Sequence, residues 1–426
     1  MPSSNNPRLQ NRVSPLSSLT SRIEEDPNHH LAGPFLPQTY DSLFFPGSRS
    51  YICLESPFGS STPSRSPSPA LQNGNLSVHP HVSPWLRWAV QPRSAFKLVL
   101  LPIVLYVNWE LVSPYIKPDV PNPFGSVFLL SGRIPSSPDE SPLYAKTYED
   151  LLFIAYHVVF LSLVRQLITV NTCRPIARYF GIKREAKLDR FGEQGYALVY
   201  FLVFGAWGYR IMGQLPTWWY RTEYFWIDYP HWGMKPELKR YYLMQSSYWC
   251  QQLIVTALGL EKPRKDYAEL VAHHLVTLWL VGWSYFINLT LIGNAVYMSM
   301  DIPDACLAAS KLLNYIQWHT AKVYSFTFFI LVWTYFRHYL NLKILWSVWY
   351  EFELIPETSK IWKAADGTYL VDWMRYQVFL PLFLLQLLNL FWYYLMMRIL
   401  YRGVVTKKVD DDRSDDEDEG THAKED

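Results

Sequence analysis

Two adjacent histidines, His273 and His274, lie inside the apolar run that begins Asp266-Tyr-Ala-Glu-Leu-Val-Ala and continues to Thr277. Two aspartates, Asp301 and Asp304, lie inside the next apolar run, which ends at Ser310 and Lys311. Ionisable groups are costly in hydrocarbon and persist there mainly for function or for mutual pairing. Asp301 and Asp304 are three residues apart and share a helix face, which Lys311 continues. An imidazole can take up a proton near neutral pH, return it, or act as a nucleophile. A carboxylate beside it would set its tautomer and stabilise the imidazolium. If the first of these runs enters a bilayer at Asp266, His273 is about 10 Å deep. Asp304 is equally far from Lys311, where the second run leaves. Antiparallel neighbours joined by a short turn would therefore bring imidazoles and carboxylates to one level. The competing readings are a polar lock that only fastens helices together, and a metal site. Membrane metal enzymes use several HxxxH-type boxes; this chain has His 11, no HxxxH, and adjacent pairs only at His273–His274 and His29–His30. No metal site is expected.

The preceding apolar run offers a third wall. Tyr241, Gln245, Tyr248 and Gln252 recur at helical spacing, and such a face suits a cavity for an amine or hydroxyl substrate, with Tyr248 and Gln252 contacting it. Tyr241 and Tyr242 read as interfacial aromatics. His157 reads as a packing histidine.

These groups need helices long enough to hold them in a bilayer. A crossing takes about 20 mostly apolar residues, and candidates fall at 94–113, 150–170, 194–213, 244–260, 267–287, 290–311, 321–342 and 375–400. The fold expected is an all-α polytopic membrane protein, a bundle of about eight transmembrane helices around a central cavity. The composition agrees: of 426 residues 50% are hydrophobic, 17% aromatic and 18% charged, with Trp 18, Tyr 30 and Phe 23. Such aromatic weight suits bilayer interfaces. Cys 4 without a CxxC excludes a zinc ribbon or a disulfide framework. Basic clusters follow the second run (Arg174, Arg178, Lys183, Arg184, Lys187, Arg190), the fourth (Lys262, Arg264, Lys265), the sixth (Lys311, Lys322) and the eighth (Arg398, Arg402, Lys407, Lys408). All are even-numbered connections, which positive charge assigns to the cytosol together with both termini. Seven crossings with a luminal N-terminus is the alternative, and use of the sequon at Asn75 would mark it. Asn288 heads a second sequon, in a turn close to the bilayer.

The flanks are different. Residues 1–85 are rich in Ser, Pro and Asn and lack apolar periodicity, as disordered tails do. They show no apolar stretch of the kind that forms a cleavable signal. Residues 403–426 hold ten acidic and four basic side chains, a second disordered, acidic tail. Within it Ser414 precedes Asp415, Asp416 and Glu417, the pattern favoured by acidic-directed kinases of the casein-kinase-2 type.

The chain resembles ceramide synthases of the Lag1 type, in the TLC-domain superfamily. The resemblance is carried by 236–249, by Arg264-Lys-Asp-Tyr267, by His273-His274, and by Met300-Asp-Ile-Pro-Asp304 running to Tyr315. It implies a TLC domain over 188–402, with the Lag1 motif at about 266–315, preceded over 86–187 by two further helices and a basic loop. A homeobox-like insert is lacking, and Ser310-Lys311 stands where the family has Ala-Lys. The resemblance implies N-acylation of a sphingoid base by a long or very-long-chain fatty acyl-CoA in the endoplasmic reticulum membrane. Acyl-CoA is then a co-substrate and no cofactor is implied. His273, His274, Asp301 and Asp304 would be catalytic. Arg264, Lys265 and Lys311 would attract the anionic CoA head, beside Tyr248 and Gln252 on the acceptor side. A dimer and a small single-span accessory subunit are the implied partners; nucleic acid is not. A non-enzymatic TLC protein that binds lipid or assists a translocon is the alternative, but such relatives lack the full His-His and Asp-x-x-Asp set. A membrane-bound O-acyltransferase would use one His with a distant Asn.

Overall fold

The computed structural model describes residues 84–116, 120–260 and 266–406, all within the unit Leu76–Asp426. Most of the N-terminal tail with Asn75, the pair Arg264 and Lys265, and the acidic tail with Ser414 lie outside the described residues. The described residues are helical, with three isolated β-bridges and no strand. The long helices are α1 (Pro92–Ile116), α2 (Asp150–Ile168), α3 (Glu185–Met212), α4 (Pro236–Ala257), α5 (Tyr267–Phe286), α6 (Thr290–Tyr315), α7 (His319–Trp333) and α8 (Met374–Thr406). α2 runs on through a π-turn, Thr169–Cys173, into Arg174–Tyr179, and α7 through a π-segment, Thr334–Leu340, into Asn341–Tyr350.

By length and composition alone, Pro92–Ile116, Asp150–Tyr179 and Met374–Arg402 are the three described stretches apolar enough to cross a membrane. α4, α5 and α6 carry the polar residues singled out above, which lower their mean hydropathy. α1 buries only Ala95 and Val99 and leaves Phe96, Leu101 and Leu111 exposed. A helix apolar on all sides with so little of it packed is what a lipid solvent permits.

Close approach sets the centre of the bundle. α3 lies against α6 and α4 at Gly205 and Gly208. A Cβ on Gly208 would sit 2.7 Å from the Tyr241 hydroxyl, so this position cannot carry a side chain without displacing Tyr241. Tyr241 and Tyr242, expected at the interface, are instead fully buried. Each hydroxyl finds a partner inside, Tyr241 from Gln245 Nε2 and Tyr242 to Ser284 Oγ, and a buried Tyr needs such a partner.

At the end of the bundle away from the histidines, the loops fold inward. Tyr220 donates to the Ala295 carbonyl, Tyr229 to that of Ile287, and Trp226 Nε1 to Ser347 Oγ. Asn288 occupies the left-handed region at φ 63° in the α5–α6 turn, is buried, and donates to the Gly367 carbonyl. That burial removes it as an accessible sequon. Close by, Lys239 of α4 is fully buried. Its Nζ meets Asp150 Oδ1 at 2.7 Å and the carbonyls of Ser131 and Ala145 at 2.9 and 2.7 Å. Tyr285 donates to the other oxygen of Asp150. One ion pair thus fastens α2, α4, α5 and the segment after α1.

Candidate active site

His273 and His274 sit in the second turn of α5, both buried, with ring centroids 5.8 Å apart. Successive helical residues diverge by ~100°, and the consequence is visible: His273 lines a cavity and His274 does not. The Trp249 ring from α4 packs 5.5 Å from His273 and 5.9 Å from His274. Trp392 of α8 meets His273 edge-on at 5.3 Å, while its indole N–H donates to Asp266 Oδ2 at the start of α5. The imidazole is therefore clasped between two indoles. Nδ1 of both histidines is buried and has no hydrogen-bond partner among the described residues. An imidazole held by ring packing, with a nitrogen unengaged, is available to a ligand.

A cavity lies between α4, α5, α6 and α8, with about 700 Å³ of space free of protein atoms, part of it open to the outside. His273 and Trp249 stand at one end, Thr277, Val296 and Leu385 along its length, and Ile287 near the other. Its walls are almost wholly apolar. From His273 to Ile287 the cavity follows α5 for about 21 Å, longer than the ~15 Å of one leaflet.

The aspartates are placed next to the cavity wall, but not as expected. Asp301 is fully buried and accepts from Gln245 Nε2 at 2.5 Å. Gln245 in turn accepts from Tyr200 of α3 at 2.8 Å. Asp304 pairs at 2.7 Å with Arg337 on the π-segment after α7. Arg337 also donates to Asn389 Oδ1 and to the Met300 carbonyl, and its guanidinium lies 4.1 Å from the Trp333 ring centroid. Pro303 lies between the two aspartates inside α6. It has no N–H to donate to the Ser299 carbonyl, one residue before the Met300 carbonyl that accepts from Arg337. Among the described residues no hydrogen bond joins an imidazole to either carboxylate. The two aspartates turn toward α4 and α7, while His273 turns toward α8, so matched depth does not become contact. Arg337 is nonetheless one of the charges that act on His273.

The wall offered by α4 also differs from the expected one. Tyr248 stacks on Tyr200 at 3.5 Å, and Gln252 donates to Gln251; neither lines the cavity. The cavity face of α4 is Tyr242 and Trp249, one helical residue round from Tyr241 and Tyr248. Tyr241 and Gln245, from the same stripe, serve Asp301 instead. Lys311 is partly buried and its charge acts on Asp304. His157 stacks on Phe153 at 3.9 Å and bonds through Nδ1 to the carbonyl of the same residue, the packing role expected of it. In the helical continuation of α2, Arg174 is drawn off by Asp189 and Glu185 of α3 at 2.5 and 3.4 Å. Arg337 and Trp392 went unremarked in the sequence. Arg337 was detectable as an ionisable residue within the run 321–342; Trp392, one of eighteen tryptophans, carried no signal.

Residues 190–398 match the TLC domain family. A sphingosine N-acyltransferase of Schizosaccharomyces pombe is 40% identical over 341 residues, 77% of this chain and 83% of that one. A ceramide synthase of Saccharomyces cerevisiae is 35% identical over 71% of this chain and 76% of its own. This chain belongs to the Lag1-type ceramide synthase family. Similarity extends to an animal member, ceramide synthase 4 of Bos taurus, 31% identical over 54% of this chain. The stretch expected to hold the Lag1 motif, about 266–315, forms α5 and α6, the helices that carry His273 and the two aspartates.

Proposed function

We propose that this protein transfers a fatty acyl group from acyl-CoA to the amine of a sphingoid base, giving ceramide and CoA. The observation that carries the reading is the His273 imidazole, with Nδ1 unengaged, at the end of a long apolar cavity. The sphingoid amine attacks the thioester carbonyl carbon, the C–S bond breaks, and the amine loses a proton as the amide forms. His273 takes that proton and supplies one to the departing thiolate. Attack by the imidazole itself, giving an acyl-imidazole that the amine then resolves, uses the same geometry. The apolar cavity takes the acyl chain; the anionic CoA head stays at the cytosolic surface, where Arg264, Lys265 and Lys311 attract it. Asp301 and Asp304 act through Gln245 and Arg337, fixing α4, α6 and α7 around the reacting group and setting the charge near the imidazole. His274 supports the position of His273.

All eight long helices cross the bilayer in this reading, with both termini cytosolic, as the loop charges support. The three apolar stretches do so by composition; Gln245, His273, His274 and Asp301 of α4, α5 and α6 are buried, and the protein interior is where such residues are tolerated. The endoplasmic reticulum membrane, a dimeric state, a small single-span accessory subunit and phosphorylation at Ser414 come to the reading from the family resemblance and the tail sequence.

The test compares microsomes holding wild-type chain, His273→Ala and His274→Ala at matched abundance, supplied with sphinganine and acyl-CoA. Ceramide formation should be lost in His273→Ala and reduced in His274→Ala. Equal turnover in wild type and His273→Ala would overturn the assignment.

A further inference from the structure

Between its two ends the mostly apolar cavity carries the Thr277 side chain and, deeper, a hydrogen-bonded pair of hydroxyls. Tyr242 of α4 donates from its hydroxyl to Ser284 Oγ of α5, and Ser284 donates onward to the Val281 carbonyl. Both residues line the cavity, as does Gly293 of α6, which Tyr242 faces. A Cβ on Gly293 would lie 2.1 Å from the Tyr242 hydroxyl, so only glycine lets that ring reach across to α5. The ring is further fixed by Tyr285, stacked at 5.5 Å, and Tyr297, edge-on at 5.3 Å. A hydrogen-bonded pair of hydroxyls is an unusual element in a wall built mainly for hydrocarbon.

Its depth is informative. Ser284 is about 16 Å along α5 from His273, close to the ~15 Å that one leaflet's chains occupy. The space does not stop there: Ile287, Leu289 and Ile292 line a further apolar portion. An acyl chain of one-leaflet length anchored at His273 therefore ends near the pair, and a longer one has to pass it.

We propose that Tyr242, locked to Ser284 and seated against Gly293, gauges acyl-chain length. A chain of one-leaflet length is held above the closed pair, and a very long chain enters the portion beyond by displacing the Tyr242 hydroxyl. This rests on the acyl-transfer reading above, and adds to it the residue that sets which chains are preferred. Opening the pair leaves a buried hydroxyl unsatisfied until the chain leaves, a cost worth roughly a factor of ten in an equilibrium.

The experiment supplies microsomes with sphinganine and an equimolar mixture of hexadecanoyl-CoA and tetracosanoyl-CoA and measures the ratio of the two ceramides. Tyr242→Phe keeps the ring and removes the donor; Ser284→Ala removes the acceptor and is the gentler change if the first lowers abundance. Each should raise the long-to-short product ratio roughly three- to tenfold. Ile292→Phe, which fills the portion beyond the pair, should lower that ratio. The gauge is overturned if ceramide forms but the ratio is unchanged in both pair variants, or if Ile292→Phe depresses both products equally. No ceramide from the wild type with either acyl-CoA would instead refute the acyl-transfer reading itself.

Discussion

Lys239→Met tests how far the buried ion pair outside the active site holds the bundle together. The substitution keeps most of the side-chain volume and removes the charge. It leaves Asp150 buried, together with the Ser131 and Ala145 carbonyls that Lys239 now serves. Removing one partner of a buried pair costs about 3–5 kcal/mol, because the other charge stays behind. Asp150 keeps Tyr285, the Ser131 hydroxyl and the Thr147 amide as donors, which favours the lower end, about 3 kcal/mol. The described residues number 315 (33 + 141 + 141, from 84–116, 120–260 and 266–406). At about 2.1 cal/mol/K per residue, that chain has an unfolding entropy near 0.7 kcal/mol/K, so the loss corresponds to a fall in Tm of about 4–5 °C. The assay is thermal unfolding in detergent followed by tryptophan fluorescence, at one heating rate because unfolding of such a protein is expected to be irreversible. The double variant Lys239→Met with Asp150→Asn removes the orphaned charge and should recover part of the fall. A shift below about 1 °C, or a double variant no more stable than the single one, would refute the reasoning that an unpaired buried carboxylate dominates the cost.

Arg337→Lys keeps the positive charge but loses the planar fork that serves Asp304, Asn389 and the Met300 carbonyl together; kcat for ceramide formation should fall about tenfold or more, with KM for acyl-CoA changed less, and an unaltered kcat measured at matched abundance would count against a positioning role. Trp392→Phe keeps a ring against His273 and deletes the N–H bonded to Asp266, a loss of about 1–3 kcal/mol; steady-state assays should show several-fold slower turnover, and Trp392→Leu should be slower still. The Glu353 carboxyl is held below its usual range by hydrogen bonds from Lys360 and Arg375. A group whose folded pKa is depressed contributes stability above its unfolded pKa, about 4.3 for Glu, and loses it as pH falls through the lower folded value. Acidification from about pH 6 to about pH 3 should therefore increase cleavage in the 351–373 loop in limited proteolysis with an acid protease, and Glu353→Gln should flatten that dependence.

The amino-acid sequence by itself determined the helices and the chemistry they carry. Apolar runs about 20 residues long can satisfy their backbone only as helices in lipid, and each of the runs proposed falls on one of α1–α8. The histidine pair and the aspartate pair stood out because ionisable groups are rare in such runs, and the Lag1-type resemblance rested on those same residues. Which side chains meet was decided by the tertiary structure. Helical periodicity puts Tyr241, Gln245, Tyr248 and Gln252 on one stripe of α4, but the rotation of α4 about its axis, set by packing at Gly208, turns Tyr242 and Trp249 to the cavity instead. A rotation of one residue, ~100°, leaves the hydrophobic pattern of a fully buried helix nearly unchanged, so no pattern in the sequence could report it. The partners of Asp301 and Asp304, Gln245 and Arg337, come from helices far apart in the chain. Trp392 reaches His273 from α8 in the same way. Those contacts depend on how helices cross, which is fixed by the close packing of many side chains at once and is not encoded in any one stretch of the chain.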